Sequence, residues 1–273
     1  MKKIVALLTD FGLDDNYVGI MKGVLLRINP GVQIVDICHS IKPHSVVQGA
    51  LTLKSSYCYF PKKTIFLCVV DPGVGSKREA IVVKAKGYVF VAPDNGLLSL
   101  VVGGKCQREI YRITNPRYFI KPVSNTFHGR DIFAPIAAHI ASGVPLHKFG
   151  KKKEDLKKIA LPKPRFNLKK RCITGEVIDI DHFGNCITNI KEEDLAEFKG
   201  RLRLSFNGKA VSSIVSSYAQ AKEGKPLAII GSKGYLEVSI NKGSAAKGLN
   251  AAIGSRIKIS GGLYQGAREY NRK

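Results

Sequence analysis

The sequence has no apolar run of bilayer length: the stretch Ile4 to Leu8 is far too short and ends in Thr9 and Asp10. It also lacks the small-residue cleavage pattern of a secretion signal there, so a cytoplasmic protein is expected. Closely spaced cysteine pairs are missing too. Cys38, Cys58, Cys68, Cys106, Cys172 and Cys186 show no zinc-ligand spacing and mostly sit in apolar strand-like runs, so buried reduced thiols are expected; the even number leaves disulfides open. Acid is scarce. Against 44 Lys and Arg stand only 21 Asp and Glu, a formal charge of +23 that favours long-range attraction to nucleic acid or anionic surfaces. The densest basic text is Lys148, Lys151, Lys152, Lys153, Lys157, Lys158, Lys163, Arg165, Lys169, Lys170 and Arg171. No aromatic residues alternate with these charges as stacking platforms, so a solvated connector is the preferred reading and nucleic-acid binding is not favoured.

What is present is a chain of 273 residues, 44% hydrophobic, enough for one large core or two modest ones. Up to residue 150, strand-like runs alternate with helical patterns, which is how a mostly parallel sheet covered by helices is written. The strand candidates are Ile4–Leu8, Val32–Ile37, Thr64–Val70, Ala80–Lys84 and Tyr88–Ala92. Helical spacing is clearest over 15–28, where Tyr17, Ile20, Met21, Val24, Leu25 and Ile28 recur every three or four residues. Further helices are expected over 46–57 and 131–141. Residues 151–171, with Leu161-Pro162-Lys163-Pro164, read as a basic, proline-containing linker. Residues 172–273 read as a smaller all-β domain, barrel or sandwich, from short segments at Ile173–Ile180, Cys186–Ile190, Arg201–Phe206, Leu227–Ile230, Tyr235–Ile240 and Arg256–Ile259.

Ligands of open α/β sheets bind beyond the carboxyl ends of the strands, and two acids lie there: Asp10 after the first strand run and Asp71 in Asp71-Pro72-Gly73-Val74-Gly75. Aspartate before Pro or Gly also caps turns, so spacing alone leaves a turn role open. Arg78 follows Asp71 across a glycine-containing loop, and His128 immediately precedes the expected helix at Asp131, whose side chain is a candidate N-cap. Each has an ordinary structural reading as well, a solvated arginine and a structural histidine. The loop at Gly73-Val74-Gly75 lacks the spacing and the Lys-Ser/Thr ending of a phosphate-binding loop. Between two later strands, Asp181-His182-Phe183-Gly184-Asn185 is either a plain hairpin or a stacking face with amide groups suited to a planar base.

Taken in order, these segments resemble the S-adenosyl-L-methionine hydroxide adenosyltransferase family, hydrolytic relatives of the bacterial fluorinase and chlorinase. The matching text is Thr9-Asp10-Phe11-Gly12, Asp36-Ile37-Cys38-His39-Ser40, Asp71-Pro72-Gly73-Val74-Gly75 with Arg78, Ala92-Pro93-Asp94-Asn95-Gly96-Leu97-Leu98, Thr126-Phe127-His128-Gly129-Arg130-Asp131, Phe183-Gly184-Asn185 with Thr188-Asn189, and Gly234-Tyr235-Leu236-Glu237. The resemblance implies an α/β domain followed by a smaller β domain, a homotrimer with sites shared between subunits, and hydrolysis of S-adenosyl-L-methionine to adenosine and methionine. It implies no metal and no cofactor, since S-adenosyl-L-methionine is the substrate. It places the catalytic roles on Asp71, Arg78 and His128, the ribose hydroxyls on Asp10, the adenine on Phe183 and Asn185, and the methionine end on Asp181, Ser232 and Lys233. Lys233 stands where the fluorinase has an arginine and His44 where it has a tryptophan.

The same resemblance separates water from halide. Asp71 falls where the fluorinase has a tyrosine, and Gly129 where it has a serine; a carboxylate repels halide, and glycine offers no hydroxyl. Water is therefore the expected nucleophile and chloride the alternative. A third reading, a nucleoside or nucleic-acid binding module without turnover, would show salt-sensitive binding and form no adenosine.

Overall fold

The computed structural model describes residues 2–167, 169–196, 198–211 and 214–263. The chain divides into two compact units, Met1–Ile159 and Ala160–Lys273. Among the described residues no helix is long and apolar enough to cross a membrane.

The first unit is built on a seven-stranded sheet: β1 (Ile4–Thr9), β2 (Gln33–Cys38), β3 (Ile65–Val69), β4 (Ala80–Ala85), β5 (Tyr88–Pro93), β6 (Arg108–Arg112) and β7 (Lys152–Lys153), in the order β2-β1-β3-β5-β4-β6-β7. β2, β1, β3 and β5 run parallel, while β4, β6 and β7 join by antiparallel pairing. The sheet is thus mixed, not mostly parallel, because the short connection at Lys86-Gly87 turns β4 directly back as β5. An antiparallel pair needs only a tight turn, whereas each parallel pair needs a crossover.

Side-chain alternation divides the strands between two cores. Val5, Leu7, Ile65, Leu67 and Val69 face one side, with Met21, Val24 and Leu25 of α1 (Tyr17–Ile28). Ala6, Leu8, Phe66, Cys68 and Val70 face the other, with Ala50 and Leu53 of α2 (Val46–Ser56) and Val101 and Val102 of α3 (Ser99–Val102). Burial on both faces is why β1 and β3 read as continuous apolar runs. The first face is completed by α4 (Ala134–Ala141), which is preceded by a π-helical turn over Gly129–Phe133.

Two expectations fail here. Asp131 does not cap a helix: it is fully buried within the π-turn, and its carboxylate accepts the Ser124 N–H at 2.8 Å and the Arg130 Nε–H at 2.6 Å. A neighbouring guanidinium and an amide from the preceding loop outcompete the helix end for its oxygens. Nor are the cysteines uniformly buried. Cys68, Cys172 and Cys186 are, but Cys58 is exposed in the 3-10 turn Tyr57–Tyr59 that follows α2. All six are free.

The second unit is one nine-stranded, largely antiparallel sheet. It comprises β8 (Arg165–Asn167), β9 (Cys172–Ile180), β10 (Cys186–Lys191), β11 (Phe198–Phe206), β12 (Lys209–Val211), β13 (Ile214–Val215), β14 (Pro226–Ile230), β15 (Tyr235–Ile240) and β16 (Arg256–Leu263). The order is β12-β11-β16-β9-β10-β15-β14-β13, with β8 added on β9. β12 near one edge lies against β14 near the other, so the sheet curls like half a barrel around Ile173, Val177, Leu236, Val238, Ile257 and Ile259. It is not purely antiparallel, since β13 and β14 pair in parallel, and it carries two single-turn helices at Glu192–Leu195 and Ala245–Gly248.

The two-faced core gives a direct test. Leu7→Ala, in the middle of β1, removes a fully buried side chain and should cost about 2–5 kcal/mol in denaturant unfolding. Leu13→Ala, at a side chain 68% exposed, should change stability by less than about 0.5 kcal/mol.

Candidate active site

The carboxyl edge of the first sheet collects the chemically able residues. Asp10 follows β1 directly and Asp71 lies two residues beyond β3. Arg78 reaches the same edge by a different route. Because β4 is antiparallel to β5, its first residue, Ala80, pairs with Pro93 at the carboxyl end of β5, so the residues just before β4 emerge beside Asp71.

The loop between them is wound tightly. The Val74 N–H donates to the Asp71 carbonyl and the Ser76 N–H to the Gly73 carbonyl, and the Ser76 hydroxyl accepts the Arg78 N–H. Gly75 has φ +74°, and a Cβ there would lie 2.4 Å from the Asn125 carbonyl oxygen, so conformation and space both require glycine. Asn95 secures the strand end from below, donating to the Val70 carbonyl at 2.8 Å. Asp94 beside it is almost fully buried and accepts from Lys153 Nζ at 2.6 Å and the Lys157 N–H at 2.8 Å, which ties the stretch 153–157 onto the first unit.

At the centre, Arg78 donates through Nε to both Asp71 oxygens, at 2.9 and 2.8 Å, and through Nη2 to Asp71 Oδ2. The same Nη2 lies 2.8 Å from His128 Nδ1. Arginine has no acceptor, so Nδ1 must be the accepting nitrogen, and the neutral imidazole carries its hydrogen on Nε2. The Asp71 and Arg78 side chains are only 4% and 7% exposed, and the guanidinium carbon sits 5.1 Å from the Phe133 ring centre. His128 has its pKa lowered, first by burial and then by the Arg78 charge, against a smaller upward pull from Asp71 and Asp131. Both leading causes disfavour imidazolium.

Asp10, Asp71 and His128 line a cavity of about 280 Å³, walled by Phe11, Tyr17 and Phe127, with His44 also lining it. The three aromatic rings meet edge-on or tilted at centroid distances of 5.0 to 6.0 Å. One Asp10 oxygen accepts the His44 N–H at 2.8 Å, which fixes the carboxylate. Gly129 also lines this cavity, and a Cβ there would come within 3.1 Å of Phe127 and Met21 and 3.3 Å of Phe11. A serine hydroxyl would have to displace that packing.

The remaining candidates meet in the second unit. Asp181, Phe183, Asn185, Ser232 and Lys233 all line one cavity of about 950 Å³. Asp181 and Asn185 are locked together: Asp181 accepts the Asn185 N–H and its side-chain amide, each at 2.8 Å. Beyond that contact Asn185 keeps its side-chain carbonyl and the second hydrogen of its amide. Phe183 is 74% exposed, a ring without a cover. Lys233 lies 3.6 Å from Asp179. Thr188 and Asn189 serve the sheet instead, Thr188 donating to the Leu236 carbonyl, and Asn189 bonding Glu176 and Pro162.

Sequence reasoning singled out no role for two residues of this second cavity, Tyr218 and Glu237. Glu237 was visible only as the last letter of Gly234-Tyr235-Leu236-Glu237; its alternation along β15 with buried Leu236 and Val238 gives no sign that a carboxylate faces a cavity. Tyr218 lies in a short 3-10 turn between weak strands and offers no periodic signal.

Residues 5–150 match the SAM hydroxide adenosyltransferase N-terminal domain and residues 175–258 its C-terminal domain. A curated (R)-S-adenosyl-L-methionine hydrolase from Methanocaldococcus jannaschii is 37% identical over 268 residues, covering 94% of this chain and 95% of that protein. One of the same description from Thermus thermophilus is 34% identical, covering 93% and 98%. A fluorinase from an Actinoplanes species is 30% identical, covering 94% and 97%. A crystal structure of an uncharacterized conserved protein from Thermotoga maritima superposes with a TM-score of 0.85 at 38% identity, covering 94% of this chain and 99% of that one. With both domains matched and relatives aligned over nearly its full length, the chain belongs to the SAM hydroxide adenosyltransferase family.

Proposed function

We propose that the protein hydrolyses S-adenosyl-L-methionine to adenosine and L-methionine, with water attacking the ribose 5′ carbon. The observation that carries this reading is the contact of Arg78 with both Asp71 and His128, which line an aromatic-walled cavity. In the step, the water oxygen bonds to C5′ as the C5′–S bond breaks, the electron pair leaves on sulfur, and the water proton passes to a base. The leaving group departs as a neutral thioether, so the reaction as written requires no general acid, metal or redox cofactor. The enzyme's task is to hold one water in line and dry.

The hydrogen-bond directions divide the labour. His128, with Nδ1 committed to Arg78, offers Nε2–H to orient the water. Asp71, whose oxygens retain lone pairs beyond those taken by Arg78, is the group assigned to take the proton. Arg78 remains charged throughout and favours a hydroxide-like oxygen beside it. Asp10 takes the ribose hydroxyls, Phe183 and Asn185 the adenine, and Asp181, Ser232 and Lys233 the amino-acid end. The family resemblance supports a homotrimer in which subunits share each site, and the six free thiols accord with a cytoplasmic setting. Fluorinase relatives keep a halide reading in view, but Asp71 presents a carboxylate and Gly129 no hydroxyl to an anion.

The purified protein should release adenosine and methionine in the presence of a chelator and form no 5′-chloroadenosine in chloride. Asp71→Ala, Arg78→Ala and His128→Ala should each lower kcat/KM by about 10²–10⁴, measured by adenosine release; unchanged turnover in any of them removes that residue from the trio. The pH profile has a definite sign. Protonating His128 replaces its acceptor by an N–H facing the Arg78 guanidinium, so kcat/KM should fall only as pH drops through a pKa below the ordinary histidine value. The stability contribution has the same sign, present above the unfolded-state pKa and lost as pH falls through the lowered folded one. An acid limb at or above the ordinary histidine value would contradict the assignment.

A further inference from the structure

Two acids, Asp181 and Glu237, and two lysines, Lys233 and Lys242, line the cavity of the second unit, and both lysines meet acids outside that lining. Asp179 is paired with Lys233, and Lys242 at the rim with Glu223. Asp181 and Glu237 line the cavity and form no ion pair among the described residues. Their situations differ. Asp181 receives two hydrogen bonds from Asn185. Glu237 is only 6% exposed, and the one hydrogen bond shown for its carboxylate comes from the Tyr218 hydroxyl at 3.3 Å. It is the least compensated acid of the cavity, and burying an ionised carboxylate this way is costly unless a cation arrives.

Its placement is also enforced sterically. A Cβ on Gly231 would lie 1.8 Å from Glu237 Oε1 and 2.2 Å from its Cδ. Gly231 therefore leaves room for the Glu237 carboxylate. Burial raises the Glu237 pKa, with Asp181 and Asp179 adding to it, against the Tyr218 hydrogen bond and the Lys233 charge, and burial with Glu237 pushes the Tyr218 hydroxyl up to about 12.

We propose that Glu237 is the specificity-determining carboxylate of this cavity, giving it the uncompensated charge that selects the cationic sulfonium substrate over uncharged thioether analogues. The inference rests on the hydrolase reading, which puts the adenine and the amino-acid end of S-adenosyl-L-methionine on residues of this cavity. A thioether lacks the sulfonium's positive charge, so a fixed anion discriminates against it. The same charge does not help the chemistry. The sulfonium loses its charge as the bond to C5′ breaks, so Glu237 stabilises the bound substrate at least as much as the transition state and acts on KM rather than kcat.

The experiment measures, by calorimetry, the affinities of two unreactive ligands: S-adenosylhomocysteine, the neutral thioether, and sinefungin, which carries a protonated amine near the sulfonium position. Wild-type protein should prefer sinefungin by about tenfold or more, the size expected of one unscreened charge at close range. Glu237→Gln keeps the shape and an acceptor for Tyr218, so it should bind S-adenosylhomocysteine as wild type does and reduce the preference to within about threefold. Its KM for the substrate should rise without any fall in kcat, and Glu237→Ser should repeat the pattern. A preference that survives in either variant, or a kcat that falls with KM unchanged, overturns the proposal. Failure of both ligands to bind wild-type protein would instead bring down the hydrolase reading beneath it.

Discussion

A single guanidinium organises the first unit's site. Arg78 can only donate, so each of its contacts dictates the state of its partner: Asp71 must accept and His128 must present a bare Nδ1. That one constraint sets the tautomer of the histidine, turns its Nε2–H outward and fixes the plane of the carboxylate. Three charged or polar groups mostly out of water would be expensive separately. Together, with Phe133 beneath the guanidinium, they compensate one another and need little reorganisation when charge shifts during a reaction.

The fold explains how residues distant in sequence reach this contact. β1 and β3 deliver Asp10 and Asp71 at their carboxyl ends, as in any open α/β sheet. The sharp reversal between β4 and β5 is what adds the arginine, because it returns the start of β4 to the same edge. A parallel β4 would have put Arg78 at the opposite end. The π-turn at Gly129–Phe133 performs the equivalent service for His128, widening the helix entry while buried Asp131 clamps the preceding loop through Ser124.

Much of this was legible in the residues. Strands such as Ile65–Val69 and the helix from Tyr17 announce themselves through apolar runs and three-four spacing, since burial on both faces or on one stripe leaves no other pattern. Short polar elements did not. Arg108–Arg112 and Lys152–Lys153 are strands because neighbours offer them hydrogen bonds, and their own side chains carry no apolar period. The mixed sheet and the parallel pairing of β13 and β14 are likewise tertiary facts. At the site, Asp71, Arg78 and His128 each read as ordinary turn or surface residues on spacing alone, and only the ordered set of family motifs singled them out; their contact is a property of the folded chain. Glu237 shows the limit most plainly, because alternation along a strand tells which face a residue occupies and not whether that face opens into a cavity.

The central claim is that the arranged oxygen comes from solvent and ends on the 5′ carbon. It is tested most directly by turnover of S-adenosyl-L-methionine in oxygen-18 water with mass spectrometry of the products. The account predicts one heavy oxygen in adenosine, at the 5′ position, and none in methionine. Adenosine released without the label, or no adenosine at all, would contradict it.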